Sequence, residues 1–240
     1  RAFAGRRVEL LRLETRRGKS AAENAAGSVT RGEIIVNIDA TVRILPASLK
    51  ALVSAFSDPT VGVASGCDVS VAAVAHDSLS AKPSGESGYV SYEMKIRALE
   101  TSIRSIVGAS GCFYGIRSIL YDSAFPESLS RDFASALMAE EHGYRAVSVD
   151  AAVCLVPQTS SIKTEFRRKI RTMARGLQTL WFKRGLMNPF HFGVYAWLMF
   201  RHKLCRWHVS PAVIVGAVAL LIASHDSYLC KVLLVAGLIC

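Results

Sequence analysis

The chain has 240 residues, enough for one sizeable domain with an appendage, and 51% of them are hydrophobic. Its formal charge of +10 selects nucleic acid, an anionic membrane or phosphorylated substrates as partners. The charge concentrates in residues 1–19 and 163–206, and the second block directly precedes an apolar segment. That adjacency favours the membrane and sets nucleic acid aside. The six cysteines include no C-x-x-C pair and no Cys/His grouping at zinc-finger spacing, so they read as reduced, mostly buried, small apolar residues. No Ser-His-Asp order suggests hydrolysis, and no glycine-rich loop fits a nucleoside-triphosphate cradle.

Val8–Leu13 reads as a short strand after a basic start, followed by a turn at Arg16–Ser20 and a small-residue helix over Ala21–Val29. The β-branched run Ile34, Ile35, Val36 and Ile38 reads as a buried strand over 33–38 that ends in the carboxylate of Asp39. Ligands of open α/β sheets bind beyond the carboxyl ends of strands, and an acid there can hold a hard cation and, through it, a phosphate. Asp39 also suits a helix cap ahead of the helical period at Leu45, Leu49, Leu52, Val53 and Phe56. Asp58-Pro59 ends that helix, and Val61–Gly66 is the next strand.

Residues 76–88 read as a loop. Tyr89–Ile106 reads as an amphipathic helix with Met94, Ile96, Leu99, Ile103 and Ile106 on its apolar face. Two acid-first pairs, Glu93/Arg97 and Glu100/Arg104, would each support it by about 0.3 kcal/mol. The small-residue turn Gly108–Gly111 precedes a strand at Cys112–Ile116; Ser130-Arg131-Asp132-Phe133 opens a helix to about Glu141; Ala146–Val153 is the last strand. This alternation argues for an α/β domain.

Lys163–Phe182 reads as a helix with an apolar stripe (Phe166, Ile170, Met173, Leu177, Leu180, Trp181) and a cationic one (Arg168, Arg171, Arg175, Gln178). Phe190–Phe200 reads as a short aromatic helix suited to a membrane interface, and Arg201, His202, Lys203 and Arg206 with Trp207 as a basic collar. Val209–Ala223 is charge-free and barely long enough to span a bilayer; Ser224–Ser227 would turn the chain and the last apolar run would return, giving a transmembrane helical hairpin. The collar puts residues 1–208 on the cytoplasmic side. The histidines, His76, His142, His191, His202, His208 and His225, lack partners at ligand spacing and read as surface, interfacial or turn residues. Both ends stop inside structured stretches, so the chain is expected to be part of a longer protein.

In order along the chain, Gly18-Lys19-x-x-Ala22-x-Asn24, Gly32-Glu33-Ile34 running into Asp39-Ala40, Asp58-Pro59-x-Val61-Gly62, Gly108-Ala109-Ser110-Gly111 followed by Tyr114-x-Ile116-Arg117, Asp132-Phe133 before Gly143-Tyr144-Arg145, and Glu165-Phe166-x-x-Lys169-x-Arg171 with Arg175-Gly176-Leu177-Gln178 resemble the membrane glycosyltransferases of family 2. Cellulose, hyaluronan and chitin synthases belong to that group. The resemblance implies a GT-A-like, Rossmann-like nucleotide-sugar-binding α/β domain, N-terminally truncated, over residues 1–185. An interfacial segment over 186–208 and transmembrane helices over 209–240 would follow.

It also implies inverting transfer of a sugar from a nucleoside-diphosphate sugar to a hydroxyl of a glycan or lipid-linked acceptor, in a multi-pass protein of the inner or plasma membrane, among membrane lipids. By the same resemblance Asp132 is the general base and Asp39 holds Mg²⁺ or Mn²⁺ at the diphosphate. Lys19, Asn24, Asp39, Arg171 and Arg175 bind the donor, and Gly108, Ala109, Ser110 and Gly111 meet the acceptor. Thr41 stands where a second acid is often found, Arg131 precedes Asp132 where many members carry another acid, and Gln178 and Trp181 depart from the Gln-x-x-Arg-Trp spacing. A non-catalytic, membrane-anchored binding or assembly module of the same shape is the alternative.

Overall fold

A computed structural model describes residues 8–71, 85–122, 124–157 and 162–223. Five strands, β1 (Ile34–Ile38), β2 (Arg43–Ile44), β3 (Val61–Val71), β4 (Phe113–Arg117) and β5 (Arg145–Pro157), form one mixed sheet in the order β1-β4-β3-β5-β2. β3 and β5 run parallel; the other pairings are antiparallel. The β3/β5 register jumps from Gly66↔Val149 to Cys67↔Val153, so β5 carries a bulge beside Gly66. A Cβ at Gly66 would stand 2.5 Å from the Phe113 ring and 3.0 Å from the Ala152 carbonyl, which is why the close approach there takes a glycine.

Alternation along β3 splits the core. Val63 faces Tyr114, Ile116, Ala136 and Ala139 on the side covered by α4 (Arg131–Glu141), while Ala64 faces Leu52, Phe56, Phe113 and Cys154 on the side covered by α2 (Ser48–Ser54). Full burial of such side chains contributes roughly 1.5–3 kcal/mol each. A third cluster joins Phe133 and Leu137 of α4 to Leu180 of α5 (Ile162–Phe182) and to Tyr195 and Met199 of α6 (Pro189–Met199). A π-helical stretch, Phe200–Cys205, then leads into α7 (Arg206–Ala223). The remaining α-helices are α1 (Lys19–Val29) and α3 (Gly85–Ile103), and short 3-10 turns lie at Ala55–Ser57, Ser118–Leu120 and Arg184–Met187.

Several expectations are corrected. Val8–Leu13 forms no strand and pairs with none among the described residues; Leu10 is 92% exposed, and without a ladder partner the extended form gains no hydrogen bonds. The loop expected over 76–88 lies outside the described residues up to 84, and the chain is helical from Gly85. The apolar face expected for α3 is split: Ile106, just past its end, is buried and Met94 and Ile96 are half-buried. Leu99 (64%) and Ile103 (58%) are exposed, whereas Glu93, Arg97 and Glu100 are buried. Arg104 pairs with Glu140 at 2.5 Å rather than with Glu100. The basic collar divides: Arg201 is exposed, but His202 and Lys203 are buried against those α3 acids, so His202 is a core histidine. Of the four described cysteines only Cys154 is buried, and Cys205 is exposed.

The apolar stripe of α5 is largely open at Phe166, Ile170 and Trp181, as are Val213, Ile214, Val218 and Ile222 of α7. Among the described residues no single helix is long and apolar enough to cross a membrane. A pair bent by 43°, Pro189–Val209 with Pro211–Ala223, is by length and composition alone. The turn at Ser224–Ser227 and the returning helix of the expected hairpin lie outside the described residues.

Candidate active site

Asp39 follows directly on β1, and its backbone N–H donates to the Cys112 carbonyl at 2.9 Å, which fixes the strand end beside the start of β4. Its carboxylate receives Lys19 Nζ at 2.6 Å, and the same ammonium donates to the Gly111 carbonyl at 2.7 Å. Lys19 opens α1, whose preceding residue, Gly18, has φ of 103° and so turns the chain as few other residues would. Burial works to lower the Lys19 pKa, but the hydrogen bond and charge of Asp39 outweigh it and raise it.

Asp132 lies in the first turn of α4. Its Oδ1 accepts from Ser130 Oγ at 2.6 Å, while a Cβ built on Gly111 would stand 2.7 Å from Oδ2. Gly111 therefore joins the two acids: its carbonyl holds the lysine that holds Asp39, and its Cα faces the carboxylate of Asp132. Arg131, beside Asp132 in sequence, points elsewhere. Its guanidinium lies over Tyr121 (4.6 Å) and Phe125 (4.9 Å) and donates to the Asp122 carbonyl at 2.7 Å.

The other expected site residues spread out. Asn24 donates to the Phe125 carbonyl at 2.7 Å and accepts from Arg131, so its amide ties α1 to α4 rather than facing the cleft. Arg175 donates to the carbonyl of Glu127, whose carboxylate meets Arg17 at 2.5 Å; Arg171 is exposed on α5 and, among the described residues, joins no contact around Asp39. Gly108, Ala109 and Ser110 are buried, and only Gly111 of the four reaches partial exposure. Ser110 shapes the turn: its N–H donates to Ser65 Oγ (2.8 Å), its hydroxyl donates to Asp68 Oδ1 (2.6 Å) and accepts from the N–H groups of Cys112 and Phe113.

Three residues escaped the sequence reading. Glu23, one turn after Lys19, lines the same cleft of about 250 Å³ as Lys19, Asn37 and Asp39. Burial raises its pKa against the pull of Lys19 and Arg131; the i,i+4 spacing from Lys19 was the available signal. Asn37 lines that cleft too, and its buried Nδ2 has no hydrogen-bond partner among the described residues, a donor left for a ligand. Asp68 stands beyond the β5 bulge, its pKa raised by burial against the charge of Arg97 and the Ser110 hydrogen bond. The Cys112 thiol is pushed up to about 12, chiefly by burial, which leaves it inert as a nucleophile.

The metal expected at Asp39 meets a poor donor set. The carboxylate already carries an ammonium, Thr41 supplies no second charge, and no group of three His, Cys, Asp or Glu among the described residues fits a metal ion.

A family model described as Glycosyl transferase family 2 matches residues 1–122. The fold is similar to that of a mannosyltransferase from Pyrobaculum calidifontis, solved in complex with GDP-Man and Mn²⁺, with a TM-score of 0.68 at 22% identity over 95% of this chain and 61% of that one. This chain thus spans about three fifths of that protein's length. No curated protein matches the chain.

Proposed function

The chain belongs to glycosyl transferase family 2, and on that premise we propose that it moves a sugar from a nucleoside-diphosphate sugar to an acceptor hydroxyl, with inversion at the anomeric carbon. The observation that carries this reading is the position of Gly111 between the Lys19–Asp39 pair and Asp132. The Lys19 ammonium supplies positive charge for the diphosphate, whose leaving requires that charge be offset. Asn37, whose buried Nδ2 has no hydrogen-bond partner among the described residues, lines the same cleft. Ser130 fixes Oδ1 of Asp132, so Oδ2 is the oxygen that takes the acceptor hydroxyl proton as the oxygen attacks the sugar. The residues present at Asp39 do not by themselves fit a divalent ion, because the carboxylate is paired with Lys19 and no second acid stands beside it.

The acceptor we propose is a glycan or lipid-linked glycan, as for the cellulose, hyaluronan and chitin synthases whose motifs the chain resembles. A membrane setting, with residues 1–185 as the catalytic part on the cytoplasmic face, 186–208 at the interface and 209–240 in the bilayer, is supported by the apolar side chains left open on α3, α5 and α7. The alternative, a non-catalytic membrane-anchored module, is favoured by one feature: Thr41 in place of an acid, with Asp39 already paired.

Membranes carrying the complete protein, offered a panel of labelled nucleotide sugars and a glycan acceptor, test both. Transfer with the product linkage inverted relative to the donor supports the enzyme. No transfer from any common donor supports the module.

A further inference from the structure

The buried face of α3 holds an ion cluster that the site does not use. His202 Nδ1 lies 2.5 Å from Glu100 Oε1, and its Nε2 3.3 Å from Glu93 Oε1. Lys203 Nζ lies 3.6 Å from Glu93 Oε1, Arg97 Nε 3.8 Å from the same oxygen, and Arg206 pairs with Glu93 Oε2. Removing such charges from water costs several kcal/mol per ion unless partners replace it, so their gathering in one place calls for a reason. His202 and Lys203 arrive on Phe200–Cys205, a π-helical stretch, a form that recurs at functional sites.

The cluster reaches the site by two routes. Glu100 Oε2 accepts from the Val107 N–H at 3.1 Å, and Lys203 Nζ sits 3.5 Å from where a Cβ on Gly108 would be and 5.6 Å from the centre of the Phe133 ring. Val107 and Gly108 begin the turn that ends at Gly111, and Phe133 follows Asp132. In parallel, Arg97 donates to Ser65 Oγ at 3.3 Å, and Ser65 Oγ accepts from the Ser110 N–H.

Building on the transferase reading above, we propose that Lys203 is a positioning residue: its buried ammonium, set between Glu93, the Phe133 ring and Gly108, holds the 108–111 turn against the Asp132 carboxylate. The seating of the C-terminal helices then governs how the acceptor is presented, and donor binding at Lys19 and Asp39 is left alone.

The test compares wild type with Lys203→Met, Lys203→Arg and Gly108→Ala in the complete membrane-embedded protein. A group that only holds the fold together would lower the active fraction and leave both KM values unchanged. The expected result for Lys203→Met is an acceptor KM raised at least about tenfold, one decade of effective affinity, with donor KM within about twofold and partial rescue in Lys203→Arg. Gly108→Ala, whose added methyl would stand 3.2 Å from the Phe133 ring and in ordinary contact with Lys203 at 3.5 Å, is expected to reproduce the acceptor effect in a folded protein. Unchanged acceptor KM in both variants, or equal rises in donor and acceptor KM, overturns the inference.

Hydrogen exchange needs no turnover and separates this outcome from failure of the transferase reading. The N–H groups of Ser110, bonded to Ser65 Oγ of β3, and of Cys112 and Phe113, bonded to Ser110 Oγ, are expected to exchange at least about tenfold faster in Lys203→Met. Unchanged exchange there overturns the inference even if wild type proves inactive.

Discussion

Oδ2 of Asp132 faces the Cα of Gly111 so closely that a Cβ there would stand 2.7 Å from it. The acid at the start of one helix and the turn before β4 therefore share one surface, although 20 residues separate them in the chain.

Gly111→Ala should push the Asp132 carboxylate off its present rotamer without emptying the donor cleft. We expect turnover to fall by about 10²-fold, the lower end of what a general base contributes, with nucleoside-diphosphate affinity kept within about twofold. Steady-state kinetics beside calorimetry check this. A fully active Gly111→Ala would show that the contact has no bearing on transfer.

The pair Lys19–Asp39 is worth little to the fold. Its side chains are 46% and 33% exposed, and pairs of that kind contribute about 0–1 kcal/mol. Lys19→Met should thus leave thermal stability nearly unchanged and weaken nucleoside-diphosphate binding by about tenfold, roughly 1.4 kcal/mol. A large loss of stability with unaltered nucleotide affinity would make the pair structural.

Acid should unseat the C-terminal helices before it reaches the rest of the fold. Burial alone would raise the pKa of Glu93, but the hydrogen bond with His202 and the charges of Lys203, His202 and Arg97 reverse that and hold it far below the ordinary range. A carboxyl lowered in the folded state stabilises it above the unfolded value of 4.5 and loses that contribution as pH falls below it. Thermal melts of wild type should therefore drop steeply below about pH 4.5, and Glu93→Gln should show a lower but flatter profile. Parallel profiles would mean that Glu93 is not the group responsible.

The two acids of the candidate site are legible in the sequence because each announces itself locally. Asp39 closes a β-branched run, and Asp132 follows a serine just before an amphipathic stretch. Gly108–Gly111 was legible as a turn, but not that its first three residues are buried and shape the site from behind. Helix α3 was misread for a physical reason. Apolar periodicity assigns the apolar face to the core by default, yet here Glu93 and Glu100 meet cations about 100 positions later in the chain, and no local pattern carries that. Asn24 was placed at the donor by motif position, while its amide in fact bridges Phe125 and Arg131. Asn37, hidden inside the apolar run of β1, gave no signal at all.

The most direct measurement is labelled-sugar transfer by the complete protein in membranes, wild type against Asp132→Asn, at matched donor occupancy. The account predicts a loss of about 10²–10⁴-fold in turnover, with unchanged donor affinity and unchanged amounts of folded protein in the membrane. Turnover by Asp132→Asn equal to wild type would contradict it.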